Sequence, residues 1–164
     1  MKALMSETRS ADHSGYRVVV GVDYSELSRL ALRMALITAE KHRGTLHAIT
    51  VAEGYGPRLP KDLLDQDKRV FLEEARRTLE SYLEEQAGPV LDDRSAVKIE
   101  VVADVGNPAD RIVELAHTVN ADLIVIGIAG QRAIERLVGS AAERIMRNAG
   151  CSVLCVRPKS GKPG

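Results

Sequence analysis

Leu123-Ile124-Val125-Ile126-Gly127 is an unbroken apolar run that stops on a glycine. A strand with one wet face alternates apolar and polar residues, so a run without alternation fits a central parallel strand covered on both sides. Val18-Val19-Val20-Gly21-Val22-Asp23 reads the same way near the start of the chain. Three more short runs, Leu46–Val51, Val97–Ala103 and Cys151–Val156, complete a set of five, with helical patterns between them. Such alternation implies right-handed crossovers and a parallel sheet with helices on both faces. With the two unbroken runs side by side in the middle, the strand order becomes 3-2-1-4-5. The expected fold is therefore α/β, a doubly wound five-stranded parallel sheet.

The segments between the strands support this. Ser25 is placed to cap a helix that runs to about His42, with Leu27, Leu30, Met34 and Ile37 expected on its buried face and Gly44 ending it. A loop punctuated by Gly and Pro, Glu53–Pro60, leads to a second helix with the stripe Leu72, Ala75, Leu79 and Leu83. Glu73 and Arg77 stand in the favourable i,i+4 order on its outer face, and Gly88-Pro89 stops it. In the third strand Val97, Ile99 and Val101 alternate with Lys98 and Glu100, the pattern of a sheet edge. Asn107 and Pro108 then supply a cap and a first helical position for a helix with Ile112, Val113, Ala116 and Val119 inward. A last helix is expected over about Ser140–Asn148.

In doubly wound sheets, ligands bind beyond the carboxyl ends of the strands where the winding reverses. That point falls here between Asp23 and Gly127. From Gly127 the chain passes Gly130, Gly139 and Ser140 into Ala141 and the last helix. Glycines let backbone N–H groups approach an anion closely, and a helix start adds unpaired N–H groups and the positive end of a dipole. Ser140 contributes a hydroxyl. The stretch Gly127–Ser140 is thus suited to nucleotide phosphates. A tight turn followed by a Gly/Ser helix cap accounts for the same residues without a ligand; the position at the switch point favours the phosphate reading. No G-x-x-x-x-G-K-[ST] occurs, and no G-x-G-x-x-G follows the first strand.

Bulk composition narrows the function classes. The chain has 164 residues, enough for one domain with a sizeable core. Its 23 basic and 23 acidic residues are interspersed, which argues against nucleic acid and against anionic membrane surfaces. With no Trp and one Phe, platforms for base stacking are scarce. Cys151 and Cys155 would share a strand face but lie about 13 Å apart, too far for one bridge or one metal. They read as small buried hydrophobes in a reducing compartment. Met1–Gly15 lacks the apolar core of a signal peptide and reads as a polar tail, as does Lys159–Gly164. No run approaches the ~20 apolar residues of a spanning helix, so a cytoplasmic protein without membrane insertion is expected.

Several polar residues have plain structural accounts. Asp23 is either a capping residue before the first helix or a ligand contact. Arg132 and Arg136 fit a solvated loop face. His47 and His117 look isolated on their elements, with no His, Cys or carboxylate at ligand spacing along the chain. No nucleophile–base arrangement, paired carboxylates or metal-ligand spacing emerges. The implied role is a regulator, not a fast catalyst.

The chain resembles the universal stress protein (UspA-like) family over about Tyr16–Pro158. The resemblance is carried by Val18–Ser25, by Gly106-Asn107-Pro108, by Asn120–Gly127, and by Gly139-Ser140 through Pro158. It implies the ATP-binding branch of that family, whose loop reads G-x2-G-x9-G-[ST]. Gly127, Gly130, Gly139, Ser140 and Ala141 would then serve the phosphates and ribose, Asp23 the adenine/ribose end, and Ile126 with the backbone near Ile49–Val51 the base. ATP is the implied ligand, with AMP or cyclic AMP as alternatives and Mg2+ accompanying the phosphates. Eight residues separate Gly130 from Gly139, one fewer than that pattern, and Ala129 stands where many members carry a polar residue. The resemblance also implies a homodimer through the last strand, residues 151–156, and a regulatory protein partner. Two other functions fit the same features: an interaction dimer without nucleotide, favoured by the short loop, and a slow ATPase.

Overall fold

The structure, a computed structural model, describes residues 15–53, 61–128 and 141–159, with side chains of the second helix described from residue 66. Its elements are β1 (Arg17–Gly21), α1 (Glu26–Lys41), β2 (Thr45–Ala52), α2 (Lys61–Ala87), a 3-10 turn at Arg94–Ala96, and β3 (Lys98–Val105). There follow α3 (Pro108–Thr118), β4 (Leu123–Gly127), the helix Ala141–Asn148, here α4, and β5 (Ser152–Val156). The five strands form one parallel sheet in the order β3-β2-β1-β4-β5, as the apolar runs implied.

Each face of the sheet has its own core. Val18 and Val20 of β1 point into a cluster closed by α1 and α2, with Leu32, Leu36, Leu79 and Leu83 at its centre. Val19, Ile124 and Ile126 point the other way, against Ile112 and Val113 of α3 and Ile145 of α4. The middle strands are buried because every residue of Val18–Val20 and Leu123–Ile126 has a helix above or below it. Lys98 and Glu100 mark the β3 edge, with Lys98 Nζ 2.5 Å from Glu100 Oε1.

The helix starts follow the expected chemistry. Ser25 accepts a hydrogen bond from Ser28 N at 3.2 Å, and Asn107 Oδ1 accepts one from Asp110 N at 3.2 Å. On the outer face of α2, Arg77 Nε reaches Glu73 at 3.2 Å, and Arg76 joins the same cluster through Glu73 and Glu80.

The buried face of α1 differs from the expected one. Ser28, Ala31, Leu32, Ala35, Leu36 and Ala39 face the sheet, while Leu27, Leu30 and Ile37 are half-buried and Met34 is 38% exposed. Both stripes keep the helical period, and the larger side chains marked the wrong one. The reason is packing: three alanines let the helix axis come close to the strands, which large residues on that face would prevent.

Gly44 also has a different purpose from ending a helix by left-handed geometry. Arg43 takes the positive φ, at 48°. At Gly44 a Cβ would lie 2.1 Å from the Tyr16 carbonyl oxygen. The glycine is there so that the turn can pass against β1, and Thr45 N donates to that same Tyr16 oxygen at 2.9 Å.

Candidate functional site

A cavity of about 450 Å³ opens at the carboxyl ends of β1, β2 and β4. Its floor is apolar, made by Ile49, Val51, Ile112, Ile126 and Ile145. Asp23, Ser25 and Glu53 supply polar groups around it, and Gly127 and Ala141 border it. The cavity therefore sits at the predicted reversal point, between the turn after β1 and the end of β4.

Four expected site residues, Asp23, Ile126, Gly127 and Ala141, line this one cavity. Gly130, Gly139 and Ser140 lie outside the described residues, as do Ala129, Arg132 and Arg136. Ile49 and Val51 line the cavity, within the stretch expected to border it. The contribution of α3, through Pro108 and Ile112, went unread in the sequence. Ile112 was assigned to the core on periodicity, and it serves both purposes. The signal that could have placed it was Gly106-Asn107-Pro108, which starts α3 at the cavity edge.

Asp23 is held in a tight turn. Its Oδ1 accepts from Ser25 N at 2.9 Å, and its own N–H meets Ser28 Oγ at 3.4 Å. Partial burial works to raise its pKa, but the hydrogen bonds from Ser25 and Ser28 outweigh that and hold the carboxyl below its usual value. Asp23 is thus both a turn-forming group and an ionised acceptor facing the cavity. No Lys, Arg or His is among the described residues that line it. Among the described residues, the backbone N–H groups at the start of α4 are the ones suited to attract an anion.

Gly127 is required by the fold independently of any ligand. A Cβ there would stand 2.3 Å from the Leu27 carbonyl oxygen, so glycine lets the first turn of α1 close on β4. Ile128 N then donates to Val156 O at 2.8 Å, tying the strand end to β5.

His47 has a partner that chain order does not show. Along the chain it has no carboxylate neighbour, yet the β2–β3 register sets Glu100 directly opposite. Its Nδ1 lies 3.2 Å from Glu100 Oε2, the ring is buried, and Nε2 has no hydrogen-bond partner. This pair is near the amino ends of the strands, away from the cavity. Among the described residues no cluster of three or more His, Cys, Asp or Glu could hold a metal ion. Cys151 and Cys155 are free and half-buried, not fully buried as expected. No described helix is long and apolar enough to cross a membrane.

The family model of the universal stress proteins matches residues 16–157. The chain belongs to that family. A universal stress protein of Methanocaldococcus jannaschii is 32% identical over 165 residues, covering 94% of this chain and 89% of its own length. A universal stress protein solved in complex with cAMP is 26% identical with a TM-score of 0.60, covering 87% of this chain and 97% of that one. The hypothetical protein MJ0577 shares the fold at a TM-score of 0.68 and 20% identity, covering 90% of this chain and 99% of the other.

Proposed function

We propose that this universal stress protein is a cytoplasmic nucleotide-binding regulator, holding ATP or a related adenine nucleotide at the carboxyl ends of β1 and β4. The observation that carries the reading is the cavity of about 450 Å³ with an apolar floor, an ionised carboxylate at one side and a helix start at the other. An apolar cleft suits a base, Asp23 suits ribose or base donors, and the α4 start suits phosphate. The relative solved with cAMP supports the same class of ligand. AMP and cyclic AMP are alternatives to ATP, and Mg2+ would accompany the phosphates. We assign the site binding, not turnover, with ligand state biasing association with a regulatory protein partner.

Identification of any nucleotide that co-purifies, followed by calorimetric titration with ATP, AMP and cyclic AMP, tests this. No binding below about 1 mM, some −4 kcal/mol, would end the reading. Asp23→Ala is expected to weaken binding about tenfold or more, since it removes a hydrogen bond to a charged group. Unchanged affinity in that variant would place the ligand elsewhere.

A homodimer through residues 151–156 accompanies this reading. β5 is an edge strand without a charged residue, and Leu154 on it is 37% exposed. Such an edge invites a second strand, whereas β3 at the other edge carries Lys98, Glu100 and Asp104. A monomeric mass by light scattering at micromolar concentration would sink the dimer.

A further inference from the structure

We propose that Arg144 is a positioning residue for the phosphate end of the cavity and acts through Asp110; the inference rests on the nucleotide reading above. α4 has eight residues, buries only Ile145 fully and packs mainly on α3, so a side-chain link to α3 bears directly on the direction of its axis. Its first residues, Ala141 and Ala142, line the cavity. Arg144 does not line the cavity. Its Nε and Nη2 donate to Asp110 Oδ1 and Oδ2 at 2.6 and 2.8 Å. A two-pronged guanidinium–carboxylate pair fixes orientation as well as distance.

Asp110 is well anchored. It lies in the first turn of α3, with its backbone N–H taken by Asn107 Oδ1, and Gly106 at φ +133° lets the chain leave β3 into that turn. Pro108 of the same turn borders the cavity. Gly106-Asn107-Pro108 supplies no evident ligand group of its own for a phosphate. It builds the turn that presents Asp110, and Asp110 braces α4. Because Asp110 neutralises Arg144, the pair offers a distant anion little net charge. What it offers is a fixed direction for the N–H groups at the start of α4. The pair is half-exposed, 54% for Arg144 and 38% for Asp110, so it adds little to global stability and its variants should fold.

The test measures affinity for AMP and for adenosine in the wild type, Arg144→Gln, Asp110→Asn and the double variant, with melting curves to confirm folding. The expected result is AMP binding weakened about fivefold or more in each single variant and no further in the double, with adenosine affinity unchanged. The sign for Asp110→Asn decides most. Removing a negative charge would tighten AMP if only the electric field mattered; the brace predicts weakening. Tighter or unchanged AMP binding in Asp110→Asn would overturn the inference. So would equal losses for AMP and adenosine, or a loss in Arg144→Gln alone, which would mean direct contact with the ligand. A wild type that binds neither compound would instead remove the nucleotide reading, and the brace with it.

Discussion

The two ends of the sheet differ in that only the carboxyl end opens into the cavity. At the amino ends of the strands, the chain ties β1 to β2 and to β4, and β2 to β3. Arg17 N donates to Asp122 Oδ2 at 2.9 Å while Asp122 N donates to Arg17 O at 2.9 Å, so β1 and the turn before β4 are doubly linked. Lys98 N donates to Gly44 O at 3.1 Å, and the Tyr16 and His42 rings stack at 4.1 Å beneath them. At the carboxyl ends backbone bonds also join neighbours, from Val22 N to Ile49 O at 2.8 Å, Gly106 N to Ala52 O at 3.0 Å and Ile128 N to Val156 O at 2.8 Å, and the cavity opens beyond them. Chain direction causes part of this. In a parallel sheet every helix that follows a strand starts at the carboxyl end, so unpaired N–H groups and positive dipole ends gather there. Ser25 and Asn107 cap the starts of α1 and α3, and the first residues of α4 line the cavity.

Two glycines make the comparison measurable, and the largest effect is expected at the tied end. Gly44→Ala sets a Cβ 2.1 Å from a backbone oxygen in a turn bonded on both sides. The backbone there has nowhere to go, and a loss of about 3 kcal/mol or more is expected, or a Tm lower by roughly 6 °C or more. Gly127→Ala sets a Cβ at 2.3 Å from Leu27 O, but the first turn of α1 borders the cavity and can shift into it. We expect about 2 kcal/mol of destabilisation there, together with a marked loss of nucleotide affinity. Denaturant titration of both variants checks the order. A larger loss at Gly127 would mean the carboxyl end is the more rigid one.

What the sequence disclosed divides along the same line. Strand order was legible because burial on both faces writes itself into Val18–Val20 and Leu123–Ile126, while Lys98 and Glu100 mark an edge. Given that order, topology alone located the cavity, and Asp23 and Gly127 could be named from it. The α1 face was not legible, because two neighbouring stripes have the same period and only the distance of closest approach separates them. Gly44 could not be explained without knowing that it passes beneath Tyr16. His47 and Glu100 lie 53 positions apart, and only the strand register brings them together. Sequence patterns report which residues are buried and in what order elements pack; they do not report contacts that depend on register.

Asp122 tests the tied end at smaller scale. Asp122→Ala removes the carboxylate that accepts Arg17 N and leaves that part-buried donor without this partner. A loss of about 1–2 kcal/mol is expected by denaturant titration, with nucleotide affinity unchanged because the cavity is at the other end. A variant as stable as the wild type would show that the backbone bond from Asp122 N to Arg17 O holds the junction alone.

The smallest expected effect is one of pH, again at the tied end. Burial pushes the His47 pKa below its ordinary value near 6.5; Glu100 pulls it back up, and Arg17 and Lys98 add to the lowering. The folded protein therefore prefers the neutral ring, while the unfolded chain binds a proton more readily. Between the depressed folded value and the ordinary one, the unfolded state holds more protons, so stability rises with pH. The His47 contribution is complete above the unfolded pKa and is lost as pH falls through the folded one. Carboxylates such as Asp23 and Glu100 are held below their usual values and act at lower pH, which leaves the window below about 6.5 and above about 5 to His47. Urea midpoints measured from pH 5 to 8 should decline on the acid side, and His47→Gln should flatten that decline while costing some stability at every pH. Nucleotide affinity should stay level across the same window, since His47 lies at the opposite end of the strands from the cavity. An affinity that falls with the midpoints would show that the two ends are mechanically coupled, and the separation drawn between them would have to be abandoned.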